Sequence, residues 1–282
     1  MSHPLAHRNG AHDAAPADPT EQSRPSGSKE SQNGQKECPP TQILALDIGG
    51  TKVKMLFSGE NEPRKIPSGK KFTPGQLVES VKELAKDWPY EAISIGFPGL
   101  VGDHGPRSEP GNLGPGWVGF NFAAAFGKPV RIINDAAMQA LGSYEGGKML
   151  FLGLGTGLGS ALISEKVIVP LELGGLLYRD GRRFFDVVGR KGLQELGKDA
   201  WRTAVAEMVT MFAAAMAVDY VVLGGGNAKH IKQLPPTARL GNNLTAFRGG
   251  FRLWNVEDVP TITAEGVHNP CPTREPADWR YL

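Results

Sequence analysis

Apolar positions along this chain fall into two alternating periods. The run ILALDI, 43–48, is apolar almost throughout and predicts a buried strand. KVKMLF, 52–57, alternates polar with apolar and predicts a second strand after a turn. TPGQLVESVKELAKDW changes the period: Leu77, Val81, Leu84, Ala85 and Trp88 form one helical stripe. Thr73 can cap that helix, and Pro74 suits its first turn. AISIGF predicts the next strand, ending at Pro98-Gly99. A Gly/Pro-rich loop from Gly102 to Gly119 follows, carrying Asn112 and Trp117.

A short helix at about Asn121 to Phe126 is stopped by Gly127, and VRII leads as a strand into Asn134-Asp135 and the helix AAMQALGSYE. MLFLGL is a strand ending in GTGLG, and SALISEKVIV predicts a hairpin around Glu165-Lys166. A long helix is expected from about Asp199 to Met216, with Trp201, Val205, Met208, Phe212 and Met216 on one face. YVVLGGG is a further strand running into glycines and then a short helix.

The pattern repeats. Strand, glycine turn, strand occurs at Leu44 to Phe57 and again at Leu150 to Ile163, with a helix later in each half. Two related α/β lobes facing each other explain the repetition, with 41–135 as the first and 136–254 as the second. Residues 1–40 are rich in Ser, Pro, Gly, Ala, Asn and His and carry almost no large apolar residue. They cannot bury enough surface to offset their ordering entropy and are expected to be disordered. After Trp254 the periodicity fades. Pro260, Pro270, Pro272 and Pro276 predict an irregular tail over 255–282.

Composition narrows the function classes. With 282 residues, 40% of them hydrophobic, the chain can bury a sizeable core. A formal net charge of +2 gives no argument for a nucleic-acid or membrane partner. No apolar run reaches the length of a membrane span, and the N-terminus lacks the apolar centre of a signal peptide. The two cysteines, Cys38 and Cys271, lie in the expected tails, which favours a reduced, cytoplasmic setting. His3, His7 and His12 read as solvated tail residues, and no Cys/His cluster has zinc spacing.

The chemistry gathers at three glycine turns and an acid. Gly49 and Gly50 can take backbone angles closed to other residues and turn their amides toward an anion. Thr51 adds a hydroxyl, Lys52 a charge, and Asp47 a carboxylate placed to hold a hydrated Mg²⁺. Alone, this is equally an ordinary hairpin. The second turn, Gly155-Thr156-Gly157-Leu158-Gly159, has the same character, and two such turns in corresponding places would grip a polyphosphate chain from both sides. The third, Gly224-Gly225-Gly226, gives a nucleotide room or lets a strand and helix pack closely. Asp135 is either a helix cap or a general base for an attacking alcohol.

In order and spacing, DIGGTKVK, GFPGLV, the Asn112 to Trp117 loop, INDA, LGTGLGSALI, VPLELGG and VVLGGGNAK resemble the ROK family of sugar kinases, and within it the polyphosphate glucokinase branch. The resemblance implies a two-lobed actin-like ATPase (ribonuclease H-like) α/β fold, with mixed sheets flanked by helices. It implies that Asp47, Gly49, Gly50, Thr51 and Lys52 form a first phosphate loop, and Gly155, Thr156, Gly157 and Gly159 a second. Gly225 and Gly226 fall on the nucleotide side. Asn112, Asn134, Asp135 and Glu172 fall at the sugar hydroxyls, with Asp135 as the base that deprotonates one on C6. The implied donor is ATP or polyphosphate with Mg²⁺, without zinc, and a homodimer is compatible with family habit. The family's usual histidine after Glu-x-Gly is here Gly175, which puts the sugar's identity in question. Competing readings are a non-catalytic sugar-binding regulator on the same fold, and a kinase for mannose or an amino sugar.

Overall fold

The computed structural model describes residues 40–242, 244–255 and 279–282. Except for Pro40, the segment 1–40 expected to be disordered lies outside these residues, as do both cysteines, the three N-terminal histidines and the prolines of the expected tail. The first sheet has the order β3-β2-β1-β4-β7, built from β1 (Ile43–Ile48), β2 (Lys52–Phe57), β3 (Arg64–Pro67), β4 (Ala92–Phe97) and β7 (Val130–Asn134). β1, β2 and β3 are antiparallel neighbours, while β4 and β7 run parallel to β1. The small hairpin β5 (Val101–Gly102) and β6 (Gly105–Pro106) stands apart in the Gly/Pro-rich loop.

The second sheet repeats that order. Its strands are β8 (Met149–Leu154), β9 (Leu158–Ser164), β10 (Val167–Leu171), β11 (Tyr220–Gly224) and β12 (Ala238–Leu240), arranged β12-β11-β8-β9-β10. Again three antiparallel strands are followed by two parallel ones. The hairpin predicted at Glu165-Lys166 is present, and both residues take left-handed angles, φ 49° and 63°. One strand has no counterpart in the first sheet or in the hydrophobic pattern: β13 (Arg280–Tyr281) adds in parallel to the free edge of β10.

Period-two burial sends each central strand to two cores. On β1, Leu44, Leu46 and Ile48 face one side, covered by α1 (Pro74–Leu84) and α2 (Phe122–Phe126). Ile43 and Ala45 face the other. On β8, Leu150, Leu152 and Leu154 face α4 (Phe184–Val188) and α5 (Arg190–Met216), while Met149 and Phe151 face inward. The inward faces of both sheets share one core with α3 (Asp135–Ser143) and α6 (Thr245–Arg252). Those two helices meet at glycine notches: a Cβ on Gly142 would overlap the Thr245 carbonyl, and one on Gly249 the Met138 carbonyl. Overpacking there would cost about 1–3 kcal/mol or more. α6 also rests on the first sheet, where a Cβ on Gly250 would lie 2.7 Å from the Ala45 Cβ. Trp254 Nε1 donates to Ser94 Oγ at 2.9 Å, fastening the same contact. The segment read from sequence as the end of the second lobe thus packs on the first sheet.

Local signals account for the helix ends. Thr73 and Gln76 form a reciprocal capping box on α1. Asn121 caps α2, and Gly127 ends it in a left-handed turn at φ 68°. Leu84, counted in the predicted stripe, is exposed, whereas Leu77, Val81, Ala85 and Trp88 are buried. The long helix begins earlier than its apolar face predicts and is broken at Gly197, φ 73° and ψ 169°. The predicted span is the portion after that break. Among the described residues, no helix is long and apolar enough to cross a membrane.

Candidate active site

The first glycine turn closes β1 onto β2. The Gly49 amide donates to the Lys52 carbonyl at 3.1 Å, and Ser68 Oγ donates to the Gly49 carbonyl at 2.7 Å. Among the described residues, the Gly50 and Thr51 amides donate to no protein acceptor. The second turn closes β8 onto β9 in the same way: the Gly155 amide donates to the Gly157 carbonyl at 3.1 Å. Thr156 and Gly157 are left with amides that, among the described residues, have no acceptor. In each hairpin one amide braces the turn and the next two remain for an anion.

At Gly49, Gly50, Gly157 and Gly159 glycine serves by size, which corrects the expectation from backbone freedom. Neither Gly49, Gly50, Gly155, Gly157 nor Gly159 has a left-handed φ. A Cβ on Gly50 would lie 2.8 Å from Asn112 Cβ, and one on Gly157 would overlap the Phe185 ring. One on Gly159 would lie 2.9 Å from Ala136 Cβ. The third turn does use the freedom. Gly225 has φ 80°, and a Cβ there would lie 2.5 Å from the Leu154 carbonyl oxygen. Asn227 stitches that turn to the second, its amide to Leu154 O at 2.9 Å and its Nδ2 to Gly155 O at 2.8 Å. Beside Gly226 the space is open.

Asp47 lies on β1 and Asp135 follows the end of β7, with β4 between those two strands. Asp47 pairs with Gly96 across β1 and β4, and Gly96 pairs with Ile133 across β4 and β7. Asp135 follows as the first residue of α3, where a Cβ on Gly96 would lie 3.4 Å from its Cα. Burial pushes the Asp135 carboxyl up to about 7, the charge of Asp47 adds to the rise, and Glu172 adds a smaller push. The Ala136 amide, bonded to its Oδ1 at 2.8 Å, pulls the other way. Asn134 caps α3 through the Ala137 amide at 3.1 Å, and its Nδ2 donates to Gly99 O at 3.2 Å.

A cleft of about 190 Å³ is lined by Gly99, Arg107, Asn134, Glu172 and Tyr281, with apolar neighbours; Asp135, the residue after Asn134, is not part of its lining. Buried Ser160 holds the chain on both sides of Glu172. Its Oγ donates to Leu171 O at 2.7 Å and accepts from the Leu173 amide at 3.1 Å. Asn112 is not in this cleft; it lies against Gly50. Its loop is pinned by Glu109, which accepts from the Trp117 and Val118 amides at 3.1 and 3.2 Å. Those bonds, the Trp117 one first, hold Glu109 below the usual carboxylate range. Arg107, Ser160 and Tyr281 were absent from the sequence-derived site. In sequence, Ser160 is only the first residue of the predicted hairpin segment, and Tyr281 follows a segment without periodicity.

Lys54 Nζ stands 3.1 Å from Asp47 Oδ2. Among the described residues, no group of three or more His, Cys, Asp or Glu gathers to hold a metal. A single carboxylate next to the first amide-lined turn would suit Mg²⁺, which takes one or two carboxylates and completes its shell with water and phosphate. Of the basic run Arg179, Arg182, Arg183, Arg190 and Lys191, three members are spent on carboxylates. Arg179 pairs with Glu207, while Arg182 and Lys191 reach Glu195 at 2.8 and 3.8 Å. Arg190 is tied to the second turn through its amide, which donates to Thr156 O at 3.2 Å.

Residues 43–170 match the model of the ROK family. The bifunctional enzyme NanE/NanK of Brucella melitensis is 30% identical over 166 residues, which are 54% of this chain and 30% of that enzyme. Polyphosphate glucokinase of Mycobacterium leprae is 26% identical over 205 residues, 65% of this chain and 63% of the relative. The chain thus spans less than two thirds of either relative. Among solved structures, the inorganic polyphosphate/ATP-glucomannokinase of Arthrobacter sp. strain KM superposes with a TM-score of 0.65. It is 23% identical and covers 77% of this chain and 99% of its own. The fold is the two-lobed actin-like ATPase fold, and the likeness to ROK sugar kinases, polyphosphate glucokinases among them, agrees with the motifs.

Proposed function

We propose that this protein is a hexose kinase that transfers a phosphoryl group from ATP or inorganic polyphosphate to the C6 hydroxyl of glucose or a related sugar. Asp135 is its general base. The observation that carries the reading is the Asp135 carboxyl itself. Its pKa, pushed up to about 7 by burial and by Asp47, is matched to taking a proton near neutral pH. It stands where both sheets meet α3, beside the cleft that Asn134 and Glu172 line.

The chemistry follows from that arrangement. The unspent amides of Gly50, Thr51, Thr156 and Gly157 bind the donor's phosphates, with Lys52 adding charge and Gly159 keeping the second hairpin close to α3. Gly225 and Gly226 leave room for the nucleotide when the donor is ATP. Asp47 would hold Mg²⁺, which neutralises charge on the donor when bound. Asn134 and Glu172 orient the sugar from the cleft, and Asn112 would approach it from the side of Gly50. Asp135 removes the proton as O6 attacks the terminal phosphorus; the O6–P bond forms, and the bridging P–O bond breaks toward the shortened donor. Positioning and charge supply most of the acceleration in such a transfer.

Substrate breadth is part of the proposal. A Cβ on Gly175 would meet nothing within 4 Å, so no neighbouring side chain takes the place of the family's usual histidine there. The Arthrobacter enzyme's name joins glucose and mannose, and the lack of that side chain supports the same breadth here. The reading places the enzyme in the cytoplasm, and a homodimer is compatible with it. The test is a screen of hexoses with purified protein, once with ATP and once with polyphosphate, scoring sugar 6-phosphate. Glucose binding without phosphorylation of any hexose by either donor would make the protein a sugar-binding regulator instead.

A further inference from the structure

The last strand of the chain enters the cleft. Arg280 and Tyr281 pair with Val167 and Ile168 of β10, and the amides of Arg280 and Leu282 donate to Lys166 O and Ile168 O at 3.0 and 3.1 Å. This parallel pairing fixes which face of the strand Tyr281 uses. Its hydroxyl reaches across from the second sheet to the end of β7, where it accepts the Asn134 amide at 3.2 Å. Its side chain lines the same cleft as Asn134, Glu172 and Arg107. Among the described residues, the Tyr281 hydroxyl donates to no acceptor, so its proton is unspent. Burial raises this phenol above its usual range and the nearby Asp135 charge adds to the rise, against the pull of the Asn134 bond. It therefore stays protonated at neutral pH.

We propose that the C-terminal strand supplies Tyr281 as a sugar-binding residue, its hydroxyl donating a hydrogen bond to a hydroxyl of the acceptor held beside Asn134 and Glu172. The partner is a polyol with an acceptor oxygen within reach of the cleft wall. This inference rests on the proposed kinase function. Arg107, an exposed member of the cleft lining, is a charged donor fit for any polar ligand and carries no comparable discrimination.

Tyr281→Phe keeps the ring and the strand and removes only the O–H. Steady-state kinetics with the full chain should show sugar KM raised roughly tenfold, with donor KM unchanged and kcat within about threefold, the scale of one neutral hydrogen bond. A panel of monodeoxy glucoses separates contact from structural support. One deoxy sugar should lose about tenfold in kcat/KM with the unmodified protein and little further with Tyr281→Phe. Equal sugar KM in the two proteins would overturn the proposal. So would a panel in which every deoxy sugar loses the same factor with both. Absence of sugar phosphorylation by the unmodified protein would instead sink the kinase reading, and this inference with it.

Discussion

Lys54 Nζ lies 3.1 Å from Asp47 Oδ2, across the two strands that carry the first glycine hairpin. Register makes the pair: Asp47 and Lys54 are directly opposed in the antiparallel ladder. The lysine is therefore a built-in countercharge at the carboxylate assigned to Mg²⁺. It also tempers a negative charge that raises the pKa of Asp135. Lys54→Met should leave the fold intact and move the acid limb of the kcat/KM profile to higher pH, because Asp47 then acts on Asp135 unopposed. An unmoved limb would show that Asp47 and Asp135 do not communicate.

Asp135→Asn should fold and lose about 10²–10⁴-fold in kcat, the range for a general base. Stability offers an independent check with a definite sign. The folded pKa of Asp135 is raised to about 7 from 3.8. Its contribution is therefore fully present below pH 3.8 and lost as pH rises through 7. The Asn variant lacks that loss. Its melting temperature should exceed that of the unmodified protein at pH 8 and converge with it toward pH 4, by a free energy bounded at about 4 kcal/mol.

The two hairpins should respond differently to one methyl group. Gly50→Ala would press a Cβ against Asn112 at 2.8 Å, so both donor KM and sugar KM should rise. A Cβ on Gly155 meets nothing within 4 Å, so Gly155→Ala should keep its stability and affect the donor alone. Separate calorimetric titrations with donor and with sugar distinguish the two patterns. Identical losses in both variants would remove the assignment of separate roles.

On the proposed reading, Gly175 stands where a histidine would contact the sugar. Glucose, mannose and glucosamine should then differ by less than about tenfold in kcat/KM, or roughly 1.4 kcal/mol. Gly175→His should sharpen the preference for glucose, since a Cβ at this position would meet nothing within 4 Å. A sharp preference already present in the unmodified protein would point to another residue, and Tyr281 is then the first to substitute.

The sequence by itself determined the elements whose partners are local. β1, β2, α1, β4, α2, β8, β9, β10 and β11 follow from periods of 2 and 3.6, from Thr73 as a cap, and from Gly127 as a stop. The repetition of strand, glycine turn and strand also determined that two matching hairpins exist. Tertiary structure alone decided the rest. Gly50, Gly157 and Gly159 are glycine because Asn112, Phe185 and Ala136 arrive from distant parts of the chain, and no local pattern encodes such an approach. α6 returns to the first sheet because Gly249 and Gly250 admit other backbone and side chains closely. Its burial thus depends on residues about a hundred and more positions away. β13 is too short for a period to show, and it is ordered by ladder bonds to an edge that only the folded sheet presents. The elevated pKa of Asp135 has the same origin. An acid at a strand end is visible in the sequence, but the burial and the neighbouring carboxylate that tune it exist only once the sheets and α3 have packed.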